Sequence, residues 1–414
     1  MPEQKLLVIG AGIGQVPILE KARQSGIHTC VVTLPGNQPG IALADEVFYR
    51  DIYDRDAIVR WSKENGVTAV ISDQNDLMNP TVAYVAEKLG LPGNSFAQVL
   101  AYTNKNRYRE ICDRIGNPVP RHIAITDASS DGHAFACPLP WIVKPADSQS
   151  SVGITKIEKM EDLQPAIAKA LAHSKTKSAI LEEFFVGQEV VCEGFIENGR
   201  YYLLAFADRR YFSLQNAFIP AQSLFPSTVR PDLLGQIRAC EQKFAEYVHP
   251  SFGIVHSEYL VNEETGEICV VESALRGGGV YISSHLVPLA TGIDINEVLL
   301  EKALGNKVDV EEVFSKRKAA AAAYICFYLP EGTIRRIEGV EELKKLPFVR
   351  MVCMDDIRIG ETTQPMIHKG MRKGPILICG NDRAEIEKNI EAVQNILKIE
   401  VEAPDGEICG IVWE

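Results

Sequence analysis

The sequence has little of what marks secreted, membrane-spanning or nucleic-acid-binding proteins. Its 10 cysteines are scattered, without a CxxC or any paired spacing, and most lie inside apolar runs. Such cysteines are typical of buried thiols in a reducing compartment rather than of a disulfide framework. The longest apolar candidate, Ala319 to Leu329, has 11 residues, whereas a membrane-spanning helix needs roughly 18. A secreted disulfide scaffold and an integral membrane protein are therefore both disfavoured.

Basic charge is also scarce. The chain has 43 Lys and Arg residues against 55 Asp and Glu, a net charge of −12, and no block rich in Lys or Arg. Because such blocks hold nucleic acids and anionic membrane surfaces, neither is expected as a partner, whereas a small anionic ligand stays open. The first residues, MPEQKLLVIG, enter a strand-like run without a charged leader. We therefore expect a cytoplasmic protein.

The length and composition fit a globular protein of two or three domains. The chain has 414 residues, of which 46% are hydrophobic and 24% charged, and a domain takes roughly 150 residues. In the N-terminal part, short apolar runs such as Leu6 to Ile9 and Thr29 to Thr33 alternate with amphipathic stretches. This alternation predicts parallel strands joined by helices. Ser95 is expected to cap a further helix that reaches about Gly116.

Later segments predict antiparallel hairpins. Strands are expected near Glu189 to Ile196 and near Tyr201 to Asp208, joined by a turn that contains glycine. A second hairpin is predicted from Val255 to Val261 and from Glu267 to Glu272. The stretch from Asp208 to Pro226 is expected to be irregular, either lining an acceptor pocket or forming an ordinary surface loop.

A glycine-rich turn, Gly10-Ala11-Gly12-Ile13-Gly14, follows the first strand and opens a helix, as a dinucleotide-binding fingerprint would. The third glycine of that fingerprint is replaced by Gln15, and the second strand ends at Thr33 without an acidic residue for a ribose. A tight packing turn, or one wall of a different ligand cleft, is therefore favoured over a nicotinamide-dependent enzyme.

Two lysines and a small polar loop are the first candidates for a phosphate site. Lys105 lies on a predicted helix, and Lys144 ends a strand that is followed by the serine-rich loop from Asp147 to Gly153. Backbone N–H groups and hydroxyls of such a loop can bind phosphate oxygens, and a lysine at a strand end adds a compact positive charge. Taken singly, each lysine is more often a solvated surface residue.

Acidic residues form the second group of candidates. Glu182, Glu183 and Glu189 lie at and after an apolar strand end, which suits an adenine edge and a ribose diol; a solvent-exposed acidic hairpin is the alternative. Glu258 and Glu272 lie on the two strands of one predicted hairpin. Two carboxylates on one face of a sheet repel each other unless a cation lies between them, and Mg²⁺ with nucleotide phosphates is a natural candidate.

Arg276 and its glycine-rich neighbours are the last candidates. Arg276 precedes Gly277-Gly278-Gly279, a run that lets a ligand approach the backbone. Its guanidinium could bind a carboxylate or phosphate through two parallel hydrogen bonds, or form a salt bridge with a strand carboxylate. His256, near Glu258 on the same predicted strand, is more often a packed or hydrogen-bonded residue than a ligand-binding one.

In this order, these segments resemble the ATP-grasp superfamily, and in particular its carboxylate-amine ligase branch. At the C-terminal end, Gly332-Thr333-Ile334 and Met371 to Leu377 are similar to the C-terminal lobe of L-amino acid ligases. The resemblance implies an α/β fold with an α+β ATP-grasp core. It implies a parallel α/β pre-ATP-grasp domain at 1–95, an ATP-grasp domain at 96–315 with a mobile lid at about 118–181, and a small α/β lobe at 316–414.

The resemblance also implies roles for individual residues. The implied ATP-binding residues are Lys105, Lys144, Ser150, Ser151, Gly153, Glu182, Glu183, Phe184 through its backbone, and Glu189 at the ribose. The implied ligands of Mg²⁺, for which Mn²⁺ can substitute, are Glu258 and Glu272. The implied catalytic residues are Lys144 and Arg276, and the implied substrate-binding residues are Arg276, Gly277, Gly278, His256 and Tyr211.

The reaction implied by the resemblance joins a small carboxylate to a small amine. The carboxylate would attack the γ-phosphate of ATP to give an acyl phosphate and ADP, and the amine would then displace phosphate. A bicarbonate- or formate-activating enzyme of the carboxylase or purine-pathway type stays open, as does a nucleotide-binding sensor without catalysis. One departure is Ala274, where much of the superfamily has Asn two residues after the second metal glutamate; L-amino acid ligases are similar in having a small residue there. Relatives are commonly homodimers.

Overall fold

The computed structural model describes residues 4–128, 130, 135–148, 152–214, 218–366 and 369–414. Within them the chain forms one parallel sheet of four strands, two antiparallel sheets of four strands and one antiparallel sheet of eight strands. Helices cover these sheets, so the predicted mixed α/β architecture is confirmed.

The N-terminal sheet is parallel, as its alternating strands and helices predict. Its elements are β1 Lys5–Ile9, α1 Val16–Gln24, β2 His28–Thr33, β3 Glu46–Tyr49, α2 Arg55–Glu64, β4 Ala69–Ile71 and α3 Asn79–Leu89. The strand order is β3-β2-β1-β4. Leu7, Ile9 and Val32 share one core with Ile58 of α2 and Val85 of α3. The loop after β4 leaves at the carboxyl edge of the sheet, which is where open parallel sheets bind ligands.

The glycine-rich turn after β1 is a tight packing connection. Gly10 has a φ of +91°, and a Cβ atom there would lie 2.3 Å from the Met78 sulfur. The Gln15 amide nitrogen donates to the Asp73 carbonyl at 2.6 Å, and its Oε1 atom accepts from the Gly12 amide at 3.0 Å. The residue that interrupts the dinucleotide fingerprint therefore ties the turn to the loop after β4.

The predicted helix after Ser95 is two helices, α4 Phe96–Thr103 and α5 Lys105–Ile115. Ser95 caps α4 as predicted, since its Oγ atom accepts from the Gln98 amide at 3.2 Å. The prediction of one helix to about Gly116 is wrong, because Asn104 has an extended backbone and its side chain caps α5 by accepting from the Arg107 amide at 3.1 Å. The break places Lys105 at the first position of α5.

The predicted lid segment contains an antiparallel sheet and one helix. Its elements are β5 His122–Ile125, β6 Trp141–Pro145, β7 Thr155–Ile157, α6 Leu163–His173 and β8 Ala179–Glu183. The strand order is β5-β8-β6-β7. Trp141, Val143 and Leu181 form a separate core with Ile167 of α6. Lys144 of β6 and Glu182 of β8 lie on neighbouring strands of this sheet.

The large sheet begins with five antiparallel strands and a long helix. They are β9 Gln188–Glu197, β10 Arg200–Tyr211, β11 Pro220–Phe225, α7 Pro231–Val248, β12 Phe252–Asn262 and β13 Glu267–Ala274. The prediction of an irregular stretch from Asp208 to Pro226 is wrong, because β10 extends to Tyr211 and pairs with β11. The polar side chains at the end of β10 form hydrogen bonds with other charged groups, so they do not need the solvent exposure of a loop.

The C-terminal part adds the remaining elements. They are the π-helix Ile282–Leu286, α8 Val287–Thr291, α9 Ile295–Ala303, α10 Val310–Ser315, β14 Ala321–Phe327, β15 Gly332–Glu338, α11 Val340–Leu343, β16 Val349–Val352, β17 Thr362–Thr363, a 3₁₀ turn Lys369–Met371, β18 Lys373–Gly380, α12 Arg383–Ile396, β19 Lys398–Glu402 and β20 Ile408–Cys409. The large sheet has the order β13-β12-β9-β10-β11-β14-β18-β16, so strands on both sides of residue 316 share it. The small C-terminal sheet has the order β17-β15-β19-β20.

Strand β14 explains the alanine-rich run in the sequence. All seven of its residues are buried. Ala322, Tyr324 and Cys326 pack into one core, whereas Ile325 and Phe327 pack into the core on the other face. A strand covered on both faces is apolar throughout, which accounts for the absence of alternation. No helix in the described part of the chain combines the length and the apolar character that a bilayer crossing requires.

Candidate functional site

A cavity of about 470 Å³ lies between the lid sheet and the large sheet. Nine of the residues predicted from the sequence line it, namely Lys105, Lys144, Glu182, Glu183, Phe184, Glu189, Tyr211, Glu258 and Glu272. Arg276, Gly277, Gly278 and His256 are not among the lining residues. Ser150 and Ser151 lie outside the described residues. The structure therefore brings together residues that are up to 167 positions apart in the chain.

One end of the cavity is closed by a buried triad of charges. Glu182 and Lys144 are 1% and 7% exposed. The Glu182 carboxylate accepts from Arg109 Nε at 2.7 Å and contacts Lys144 Nζ at 2.7 Å. Burial by itself would raise the pKa of Glu182, but the charges of Arg109 and Lys144 lower it to about 2. The carboxylate is thus ionised at neutral pH and is already engaged by two cations.

The apolar wall beside this triad suits a flat ring. Ile142, Ile154, Leu260 and Val270 line it. The Phe184 amide donates to the Pro140 carbonyl at 3.1 Å. Because the Phe184 amide is already hydrogen-bonded, only the Phe184 carbonyl is left for the predicted backbone contact with a nucleotide.

Gly153 belongs to the predicted lid segment and has a backbone that only glycine adopts readily. Its φ is +79°, and a Cβ atom would lie 2.7 Å from Pro145 Cγ and 3.0 Å from His173 Cβ. The glycine therefore lets the loop return closely against β6 and α6. Contact between Gly153 and a phosphate stays a prediction.

The opposite end of the cavity contains a second set of charged groups, centred on Arg209. Arg209 Nη1 donates to Glu189 Oε1 at 2.7 Å and also to Glu258 Oε1. The Tyr211 hydroxyl donates to the other Glu189 oxygen. Burial and the charge of Glu258 raise the pKa of Glu189, against the opposing effect of Arg209. Arg209 is 8% exposed, and its Nε atom has no hydrogen-bond partner in the described part of the chain.

The two predicted metal ligands are directly opposite each other. Glu258 of β12 and Glu272 of β13 are register partners, next to a β-bulge between Glu258 and Tyr259. Lys105 Nζ is 3.1 Å from Glu272 Oε2 and donates to the Ser148 carbonyl at 3.0 Å. Burial would lower the pKa of Lys105, but the charge of Glu272 raises it. Lys105 is therefore held as a cation beside the acidic pair.

This acidic pair fits a hard divalent cation. Among the described residues, neither Glu258 Oε2 nor Glu272 Oε1 has a hydrogen-bond partner. Burial would raise the pKa of Glu258, yet Arg209 and His256 hold it well below its usual value, so the carboxylate is ionised. Two carboxylates, each with one oxygen that accepts no hydrogen bond, match the ligands that Mg²⁺ takes alongside phosphate oxygens.

The glycine-rich loop after β13 lies beside the cavity and is fixed by the N-terminal sheet. Arg276 donates from Nε and Nη2 to the two oxygens of Asp76, both at 2.9 Å. Asp73 accepts from the Gly277 amide at 2.7 Å and from the Ser283 hydroxyl at 2.8 Å. Both aspartates belong to the loop after β4. The two-bond geometry expected of Arg276 toward a ligand is thus used here toward Asp76.

Three cationic residues of the cavity were missed from the sequence: Arg109, Arg209 and Lys369. Arg109 follows Lys105 by four residues on α5, a spacing that places both on one helix face. Arg209 and Tyr211 share one face of a strand through their spacing of two. Lys369 comes from the C-terminal lobe, and burial lowers its pKa although Glu258 opposes the shift. Nothing in its local sequence indicates that it lies at this cavity.

Comparison with known families agrees with this architecture. A model of the ATP-grasp domain matches residues 137–284, and a model of the L-amino acid ligase C-terminal domain 2 matches residues 325–402. Residues 137–284 therefore form a domain of the ATP-grasp family. The C-terminal part of the chain is of the type found in L-amino acid ligases.

Individual relatives are distant. The chain is 26% identical to a D-alanine–D-alanine ligase of Parabacteroides distasonis over 39% of its own length and 50% of that protein. It is 24% identical to an alanine–anticapsin ligase of Bacillus subtilis over 58% of its length and 55% of that protein. It therefore spans about half the length of these two relatives. A crystal structure of an L-amino acid ligase from Bacillus licheniformis superposes with a TM-score of 0.79 at 22% identity, over 96% of this chain and 98% of that chain.

Proposed function

We propose that this protein is an ATP-dependent carboxylate-amine ligase that forms an amide or peptide bond through an acyl phosphate and releases ADP and phosphate. The observation that carries the proposal is the opposition of Glu258 and Glu272, each with an unused oxygen, next to Lys105 in one cavity. The two ligases among the relatives support the same class of reaction.

The nucleotide would lie along the cavity, with its base against the apolar wall. Glu189 would meet the ribose after exchanging its bond with Tyr211 or Arg209 for the diol. Lys105 and Lys144 would neutralise phosphate oxygens as compact cations. Glu258 and Glu272 would hold Mg²⁺, which neutralises phosphate charge when bound.

The chemistry then follows from positioning rather than from a protein nucleophile. A substrate carboxylate oxygen attacks the γ-phosphorus, the bond to the β-phosphate oxygen breaks, and ADP leaves. A neutral amine attacks the acyl carbon, phosphate leaves with the oxygen that joined it to carbon, and the amine loses a proton. Charge neutralisation and exclusion of water under the lid lower both barriers.

Arg276, Gly277 and Gly278 would border the substrates from the side of the N-terminal sheet. The guanidinium of Arg276 is bonded to Asp76, and its Nη1 atom now donates to the Gly277 carbonyl at 3.0 Å. Arg276 would steady the acyl phosphate or the substrate carboxylate through Nη1, which would exchange that bond for the ligand. The substrates are a small carboxylate and a small amine, and a homodimer is the proposed assembly.

Nucleotide product analysis tests the proposal. Purified protein with Mg-ATP is incubated with pooled small carboxylates and amines, and ADP is separated from AMP. We expect ADP and phosphate in amounts that depend on both a carboxylate and an amine. AMP with pyrophosphate would contradict the mechanism. Turnover with bicarbonate or formate alone would establish the carboxylase-type alternative, and tight nucleotide binding without turnover in any pool would favour the sensor.

A further inference from the structure

A buried histidine-carboxylate pair lies directly behind one of the two proposed metal ligands. His256 and Glu193 are 2% and 0% exposed. The His256 Nδ1 atom is hydrogen-bonded to Glu193 Oε1, and Nε2 lies 3.4 Å from Glu258 Oε1, a long contact. By binding Nδ1, Glu193 fixes Nε2 as the ring nitrogen that points toward Glu258.

The pair is held in place by the glycine-rich loop. A Cβ atom on Gly278 would lie 2.5 Å from Glu193 Oε1 and 2.8 Å from His256 Nδ1. Only a residue without a side chain lets the loop approach this closely. The imidazole is thus enclosed between the loop and the large sheet, which leaves its ring little freedom to turn.

The register of β12 and β13 connects this pair to the unusual Ala274. His256 is the register partner of Ala274, just as Glu258 is that of Glu272. Ala274 and Glu272 are two residues apart and share one face of the sheet. The methyl group of Ala274 offers no polar atom toward the acidic pair, and its register partner on the neighbouring strand is His256.

The contacts to Glu258 converge on one of its oxygens. Arg209 and His256 both approach Oε1, and Oε2 has no partner among the described residues. Groups that orient a metal-binding side chain through its second atom are a common feature of metal sites. Because Arg209 and His256 both approach Oε1, the Oε2 atom of Glu258 is left for a cation.

We propose that Glu193 and His256 are positioning residues that hold the Glu258 carboxylate with Oε2 available to a divalent cation. This inference rests on the proposed metal-nucleotide site. It assigns His256 to the metal ligand rather than to direct contact with the substrates.

Binding of Mn²⁺ in the presence of ADP tests the proposal without a turnover assay. Free Mn²⁺ is measured by electron paramagnetic resonance during titration of the protein. We expect His256→Leu to weaken Mn²⁺ binding by about 10- to 100-fold, the usual effect of losing a group behind a metal ligand. His256→Gln should recover most of that loss, because its amide nitrogen can reach the place of Nε2.

A matched control is available outside the residues that line the cavity. His122 Nε2 lies 3.4 Å from Asp113 Oδ2, so His122→Leu removes another histidine-carboxylate pair and should leave Mn²⁺ binding unchanged. Since His256→Leu leaves Glu193 without its partner, the double variant Glu193→Leu/His256→Leu is measured as well and should show the same loss. Thermal melting confirms that each variant is folded.

Two results would overturn the inference. One is wild-type Mn²⁺ affinity in folded His256→Leu and in the double variant. The other is an equal loss in His256→Leu and His256→Gln, because a donor at this place would then be irrelevant. Failure of the wild-type protein to bind Mn²⁺ with ADP would instead contradict the proposed function, so the two failures are distinguishable.

Discussion

Two lysine-glutamate pairs in the same cavity differ in how completely they are satisfied. Lys144 and Glu182 are 2.7 Å apart with side chains 9% and 1% exposed, and Arg109 binds the same carboxylate. Lys105 and Glu272 are 3.1 Å apart with side chains 15% and 26% exposed, and Glu272 Oε1 accepts no hydrogen bond from the described residues. In the first pair two cations engage one buried carboxylate, whereas in the second pair a more exposed carboxylate keeps one oxygen for a ligand.

Residue type alone therefore does not assign a role to a lysine-glutamate pair in this cavity. Removing one charge from a buried ionic cluster destabilises the fold strongly, because another charge then stays buried without a partner. A partly open pair can exchange its contacts with ligands at small cost. We therefore expect changes at Glu182 to affect mainly stability and changes at Glu272 to affect mainly turnover.

Glu272→Gln provides the largest effect that this comparison predicts. Removing one carboxylate charge from the proposed cation site should lower turnover on the order of 1,000-fold, equivalent to several kcal/mol of lost charge stabilisation. The free energy of unfolding should change by no more than about 0.5 kcal/mol, as for other accessible positions. Steady-state ADP release and urea unfolding measure the two quantities. Glu267→Gln, at the exposed start of the same strand, is the control, and near-wild-type turnover of Glu272→Gln would refute the role of Glu272.

Glu182→Gln should have the opposite signature. Arg109 and Lys144 would stay buried without a counter-charge, which costs about 3–5 kcal/mol of unfolding free energy. The adjacent Glu183→Gln is a matched control, because Glu183 pairs with an Arg121 side chain that is 63% exposed and should contribute under 1 kcal/mol. Urea unfolding decides the matter. Equal stabilities of the two variants would show that the buried charges around Glu182 do not stabilise the fold.

The dependence of stability on pH sharpens the same contrast. The pKa of Glu182 is about 2 in the folded protein against 4.5 for an unperturbed glutamate. A lowered pKa stabilises the fold above the unfolded value, and the stabilisation is lost as pH falls toward the folded value. We expect about 3 kcal/mol to disappear between roughly pH 5 and pH 2, with a shallower loss in Glu182→Gln. Identical pH profiles of the wild type and the variant would contradict the assignment.

Arg276→Lys should give the smallest effect. Lysine cannot form the two parallel bonds that Arg276 makes with Asp76, so the glycine-rich loop should be held less firmly and turnover should fall about tenfold. Arg200 makes a similar two-bond pair with Glu311 at 2.8 and 3.0 Å, but with both side chains more than half exposed. Arg200→Lys should therefore leave turnover unchanged. An unaltered rate in Arg276→Lys would remove Arg276 from the site.

Local sequence patterns predicted the features that depend on neighbouring residues. The period of two in each strand placed Glu258 and Glu272 on one hairpin, and the structure sets them in direct register. The Ser95 cap was predicted for the same reason. The break at Asn104 was missed because an asparagine inside a helical pattern can either continue the helix or cap a new one. The sequence pattern does not show which of the two occurs.

Contacts between distant residues could not be predicted in this way. Arg109 meets Glu182 across 73 positions, and Arg276 meets Asp76 across 200. No local period encodes such a pairing, because it results from the packing of elements that are distant in the sequence. Arg209 was placed in an irregular stretch because a run of polar residues resembles a loop, whereas buried charges on neighbouring strands satisfy it. The family resemblance supplied nine residues of the cavity but not their mutual contacts.

Transfer of ¹⁸O from the substrate carboxylate to phosphate tests the central claim most directly. The carboxylate identified by product analysis is labelled with ¹⁸O and incubated with the protein, Mg-ATP and the amine, and the released phosphate is analysed by mass spectrometry. An acyl phosphate requires each phosphate to carry one ¹⁸O atom from the acid, because the carbon–oxygen bond breaks when the amine attacks. Phosphate without ¹⁸O would show that the carboxylate never attacked the γ-phosphorus, and the ligase account would be wrong.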